Sequence, residues 1–131
     1  GERWFGFDDG LYAGARLLEV LSRHANPSAV LDALPDAVST PELHVPCAEG
    51  EQHAFVRELQ ERASFPGAAE VIRLDGVRVE YADGFGLARA SNTTPFVVLR
   101  FEADDATALR RIQGEFRRVL AEVRPSAKLP F

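Results

Sequence analysis

The sequence predicts an α+β fold, a mostly antiparallel sheet with two helices packed on one face. Three observations carry this. Glu49 to Ser64 and Asp105 to Val123 place apolar residues at helical spacing. The stretches before and between them alternate in polarity or are rich in β-branched and aromatic residues, as strands are. Their order along the chain is strand, helix, several strands, helix, with no internal repeat and no low-complexity segment.

The elements follow in order. Arg3-Trp4-Phe5-Gly6-Phe7 is a short aromatic opening. Leu11 to Arg23 reads as a helix with Leu11, Ala15, Leu18 and Leu21 or Ser22 on its inner face. Asp8 or Asp9 caps it, where a carboxylate also suits the helix dipole. Asn26-Pro27 ends it, Ser28 to Leu34 forms a second short helix, and Pro35-Asp36 breaks the chain. Ser39 to Val45 reads as an edge strand that tolerates Pro41. In the helix over Glu49 to Ser64, Phe55, Val56, Leu59 and Ala63 face inward, and Phe65-Pro66-Gly67 stops it.

Two strands then meet at Asp75-Gly76, a hairpin signal in which both turn residues need positive φ. Val77, Val79 and Tyr81 share one face, with Arg78 and Glu80 on the other, among solvent or acidic partners. Asp83-Gly84-Phe85-Gly86 reads as a further turn, and Leu87-Ala88 leads into a polar segment. Phe96 to Phe101 reads as a well-buried strand. Asp104-Asp105 caps the final helix, whose stripe is Leu109, Ile112, Phe116, Leu120 and Val123, and Pro125 ends it.

Composition narrows the function. The chain has 131 residues, enough for a compact domain with its own core. No apolar run is long enough to span a membrane, and no basic-then-apolar start reads as a signal peptide. A net charge of −5 speaks against nucleic acid as a partner. Lys128 is the only lysine, so arginine carries nearly all the positive charge. Cys47 is the only cysteine, which excludes an intrachain disulfide and fits a cytoplasmic protein. His44, Cys47 and His53 are too few for a tetrahedral zinc site, so no metal ligand is expected, and Cys47 reads as a buried small apolar residue.

The chemistry is concentrated in Arg89-Ala90-Ser91-Asn92-Thr93-Thr94-Pro95. An arginine, three hydroxyls and a carboxamide fall within seven residues between two strands. Arginine can grip a phosphate dianion in a two-pronged way. Ser91, Thr93 and Thr94 can each donate one hydrogen bond. Asn92 can donate its amide and tolerates left-handed backbone, which helps successive N–H groups converge on an anion. Pro95 pre-sets the backbone at the exit. The same residue types also build ordinary polar turns, and composition does not separate the two readings.

The neighbours add to this. Arg89 to Pro95 resembles the phosphate-binding loop in the last domain of the α-D-phosphohexomutase superfamily. Leu74 to Val79, Gly84 to Leu87 and Leu99 to Ala103 are similar to its phosphomannomutase/phosphoglucomutase branch. So are Trp4 to Gly10, Ser39-Thr40-Pro41-Glu42 and the ending Leu129-Pro130-Phe131, in order over essentially the whole chain. The phosphoglucosamine branch looks like Ser-Gly-Thr-Glu-Pro in this loop, whereas Ser91 to Pro95 looks like the mannose/glucose branch.

The resemblance implies a reaction in which a phosphoserine of the first domain donates its phosphoryl group to a hexose monophosphate. The bisphosphorylated sugar then reorients and returns its other phosphate. It implies magnesium in the second domain, hexose phosphates of glucose and mannose as ligands, and the remaining domains as partners. Residues 1–34 become the C-terminal helices of domain 3, with Gly1-Glu2 at the end of that domain's sugar-recognition region. Residues 35–131 become a TATA-box-binding-protein-like domain 4, with a hinge near Pro35-Asp36. Arg89 is implied as the electrostatic clamp, Ser91, Asn92 and Thr93 as hydrogen-bond donors, Ala90 as a backbone contact and Thr94 as a weaker candidate. No catalytic residue and no cofactor fall within the chain, which on this reading is inactive alone. A stand-alone phosphosugar-binding module and a structural or interaction module are the other expectations.

Overall fold

The computed structural model describes residues 6–131. The chain divides into two compact units between Pro35 and Asp36. Gly1-Glu2 and Arg3-Trp4-Phe5 lie outside the described residues.

The first unit carries α1 (Gly10–Leu21) and α2 (Pro27–Asp32). Asp9 caps α1, its carboxylate accepting from the Tyr12 N–H at 2.9 Å. Asn26 caps α2 in the same way, accepting from the Ala29 N–H. The second helix therefore begins at Pro27, where a missing N–H costs nothing, and not at Ser28. The expected inner face of α1 is not buried: Leu11 is 88% and Leu18 68% exposed, and neither helix has a buried residue. A segment this short cannot close a core of its own.

The second unit contains β1 (Val38–Ser39), β2 (Leu43–Pro46), α3 (Glu51–Arg62), β3 (Glu70–Ile72), β4 (Val77–Tyr81), β5 (Gly84–Ala90), β6 (Phe96–Ala103) and α4 (Ala106–Val123). All strand pairs are antiparallel, and β3, β4, β5 and β6 lie side by side in that order. β1 and β2 share the outer edge of β6. Both α3 and α4 pack on the sheet, which is the expected α+β architecture. The edge strand anticipated over Ser39 to Val45 is broken into β1 and β2. Pro41 has no N–H for a ladder, and Thr40 bridges the gap by donating its N–H to the Phe101 carbonyl while its hydroxyl accepts the Phe101 N–H.

Alternation builds the core. Val77, Val79 and Tyr81 of β4 and Val97, Leu99, Phe101 and Ala103 of β6 are buried against Phe55, Val56 and Leu59 of α3 and Ile112, Phe116, Val119, Leu120 and Val123 of α4. Leu109, expected in the α4 stripe, is only half-buried, and Ala108 takes the buried position in the first turn. Asp105 caps this helix through the N–H groups of Thr107 and Ala108, which hold its carboxyl below the usual carboxylate range.

Two turns differ from expectation, and both bear on the polar segment. Asp83 to Gly86 is not one turn, because β5 already begins at Gly84 and Gly86 pairs with both Val79 and Phe101. A Cβ on Gly86 would lie 2.3 Å from the Phe116 ring, so this glycine serves close packing. At Asp75-Gly76 only Gly76 has a positive φ, 137°. Ile72 pairs with Arg78, so the link runs from Arg73 to Gly76 and is not a two-residue turn. The Gln60 amide holds it to α3 by donating to the Arg73 and Gly76 carbonyls at 3.0 and 3.1 Å.

Candidate functional site

The polar segment is a hairpin end, not a free-standing loop. Arg89 and Ala90 belong to β5, paired with Val98 and Val97 of β6, and only Ser91 to Pro95 form the connection. Strand alternation therefore fixes the first two residues. Ala88 is buried toward the helices, so Arg89 stands on the opposite face of the sheet, exposed to solvent. Gly76 keeps the strand behind it close, since a Cβ there would come within 3.1 Å of the Arg89 Cα.

Arg89, Ala90, Ser91, Asn92 and Thr93 line one cleft of about 310 Å³. Thr94 does not line it. The Ser91 hydroxyl accepts from the N–H groups of Thr93 and Thr94 at 3.4 and 3.2 Å. It also shares a hydrogen bond with the Thr94 hydroxyl, 2.7 Å away. The Ser91 N–H donates to the Phe96 carbonyl. In the structure Ser91 also braces the loop from within, because a short hydroxyl satisfies the nearest orphan N–H groups. Asn92 does not adopt left-handed backbone, since no non-glycine residue among those described has a positive φ. Among the residues lining the cleft, the Arg89 guanidinium, the Asn92 N–H and carboxamide, and the Thr93 hydroxyl have no hydrogen-bond partner among the described residues.

Sequence reasoning missed three contributors. Glu42 and Asp75 place carboxylates at the rim of the cleft. The Glu42 carboxyl is held below the ordinary range, first by its hydrogen bond to His44 at 2.9 Å and then by the charges of Arg89 and Arg100. Gln52 of α3 lies behind the loop, its amide donating to the Ser91 carbonyl. Glu42 sits in a quoted motif but nothing local marks its role, and the Gln52 partner is 39 residues away in sequence.

Elsewhere, a cleft of about 230 Å³ on the α3 side of the loop is lined by His53 and Arg57. Arg78 pairs with Glu80 and lies over the Phe85 ring, as strand pairing anticipates. Cys47 is half-buried, and burial pushes its thiol up, away from nucleophilic chemistry. Among the described residues no group of three or more His, Cys, Asp or Glu could hold a metal ion, and no helix is long and apolar enough to cross a membrane.

Comparison with known proteins gives the chain's family and fold. Residues 42–119 match the family model for the phosphoglucomutase/phosphomannomutase C-terminal domain. The chain is 62% identical over 120 residues to a phosphoglucomutase of Neisseria gonorrhoeae, covering 91% of this chain and 26% of that protein. It is 50% identical over 131 residues to a phosphomannomutase/phosphoglucomutase of Pseudomonas aeruginosa, covering 99% and 28%. The crystal structure of a phosphoglucomutase/phosphomannomutase family protein from Burkholderia thailandensis superposes with a TM-score of 0.85 at 60% identity, over 98% of this chain and 27% of that one. The chain spans about a quarter of the length of these relatives.

Proposed function

Because the chain belongs to the phosphoglucomutase/phosphomannomutase C-terminal domain family, we propose that Arg89 to Thr93 hold a phosphate group of a hexose phosphate within a longer mutase. That enzyme interconverts hexose 1-phosphates and 6-phosphates of glucose or mannose. The group transferred is carried by a phosphoserine outside this chain, and the loop holds the phosphate that is not being transferred. The task is positioning: the clamp fixes one end of the sugar so that the other end meets the transferring group in line.

One observation carries the reading. The Arg89 guanidinium has no hydrogen bond or ion pair among the described residues and shares a cleft with the unpaired donors of Asn92 and Thr93. Arg78 of β4 pairs with Glu80, while exposed Arg100 of β6, like Arg89, has no hydrogen bond or ion pair among the described residues, so it is the shared cleft that sets Arg89 apart. Here Glu42 is close enough to interact electrostatically but is hydrogen-bonded to His44 instead. Among the described residues no group of three or more His, Cys, Asp or Glu could hold a metal ion such as magnesium. That ion belongs, on the same proposal, to another part of the longer protein, where it offsets charge on the transferring group, and no step here runs through it.

Titration of the chain with glucose 1-phosphate, followed by calorimetry or amide resonances, tests the proposal. Arg89→Ala is expected to weaken binding about tenfold or more, the loss expected for a charge-assisted hydrogen-bonded pair. Equal affinity of the two proteins would remove Arg89 from the clamp.

A further inference from the structure

Gln52 is the only polar side chain among the buried residues described, 7% exposed in the first turn of α3. Its Nε2 donates to the Ser91 carbonyl at 3.4 Å, and its Oε1 has no partner. A buried acceptor left unpaired is unfavourable, and the one bond gained is long. An unbranched apolar side chain of the same length would carry no such orphaned acceptor. Stability therefore does not account for a glutamine here.

Its partner does. The peptide between Ser91 and Asn92 is trans and planar, so its C=O and N–H point in opposite directions. With the carbonyl turned inward to Gln52, the Asn92 N–H is turned outward. That N–H has no partner among the described residues, and Asn92 lines the cleft beside Arg89. The adjacent N–H groups of Thr93 and Thr94 are both engaged by the Ser91 hydroxyl, so this peptide presents the loop's free backbone donor.

We propose that Gln52 is a positioning residue for the phosphate loop, holding the Ser91–Asn92 peptide so that the Asn92 N–H faces the bound phosphate. This rests on the reading of Arg89 to Thr93 as the clamp. Without the Gln52 donor the peptide can rotate and present its carbonyl, which repels the same anion.

The test compares the 131-residue chain with Gln52→Met and Arg89→Ala by thermal unfolding and by resonance titration with glucose 1-phosphate. Gln52→Met is expected to unfold at the same temperature or higher, and to bind about fivefold more weakly. Its Asn92 amide shift on titration should be lost while the Arg89 side-chain response is kept, a pattern that general loosening of the fold would not give. If Gln52→Met binds within twofold of the unsubstituted chain while Arg89→Ala does not, the positioning role is wrong and the clamp stands. If the unsubstituted chain shows no binding, the clamp reading fails and this one with it. Loss of cooperative unfolding in Gln52→Met would make Gln52 a fold residue and overturn the proposal.

Discussion

Arg89 and Asp105 show what single residues do here, and how differently each announces itself. Asp105 precedes a helical stripe, so its capping role is readable locally, and the structure places its carboxylate on the N–H groups of Thr107 and Ala108. Its folded-state carboxyl lies below the ordinary value, so the stabilisation is present above the unfolded carboxylate pKa, about 4, and fades as the pH falls through the folded value. Asp105→Ala should therefore unfold at a lower temperature than the parent at pH 7, and the gap should narrow by pH 3. A gap that stays constant would assign the effect to something other than the ionised cap. Arg89 was legible as a chemical candidate but not as an unpaired one, because which carboxylates the fold brings near it, Glu42 among them, is a tertiary fact. Gln52 was not legible at all, since its meaning depends on a carbonyl brought to it from a distant hairpin.

The strands and helices themselves were largely legible from periodicity. Val77, Val79 and Tyr81 alternate inward as read, and the α4 stripe holds from Ile112 onward. Glycine misled at β5, because Gly84-Phe85-Gly86 has the composition of a turn while Gly86 is a strand residue making room for Phe116. Phe116 is 1% exposed and boxed in by Phe65 and Phe101, with ring centroids at 4.8 and 5.1 Å, so it cannot yield to an added methyl. Gly86→Ala should destabilise by about 1–3 kcal/mol through overpacking. Gly114, exposed in α4 with nothing within 4 Å of a Cβ, should behave oppositely, its change to Ala stabilising by about 0.8–1 kcal/mol. Urea unfolding of both variants checks this pair, and the same sign for both would contradict the packing account.

At the scale of the molecule, the boundary between Pro35 and Asp36 falls beside a proline, where the sequence marks a break. The helical pattern of the first unit was readable, but its burial was not. Amphipathicity states that a face is to be covered without stating by what, and Leu11 and Leu18 remain exposed. On the proposed function, the serine and metal machinery also lie outside this chain. A coupled assay of the 131-residue chain with glucose 1-phosphate, magnesium and a hexose bisphosphate should then show no turnover above background. Measurable turnover would make the chain an enzyme in its own right.

The central claim, that the hairpin end from Arg89 to Thr93 is a phosphate clamp, is tested most directly by a crystal structure of the chain with glucose 1-phosphate. The account predicts phosphate oxygens within hydrogen-bonding distance of the Arg89 guanidinium and the Asn92 N–H, in the cleft between Glu42 and Asp75. A phosphate seated instead in the separate cleft lined by Arg124 and Lys128, with Arg89 untouched, would contradict it.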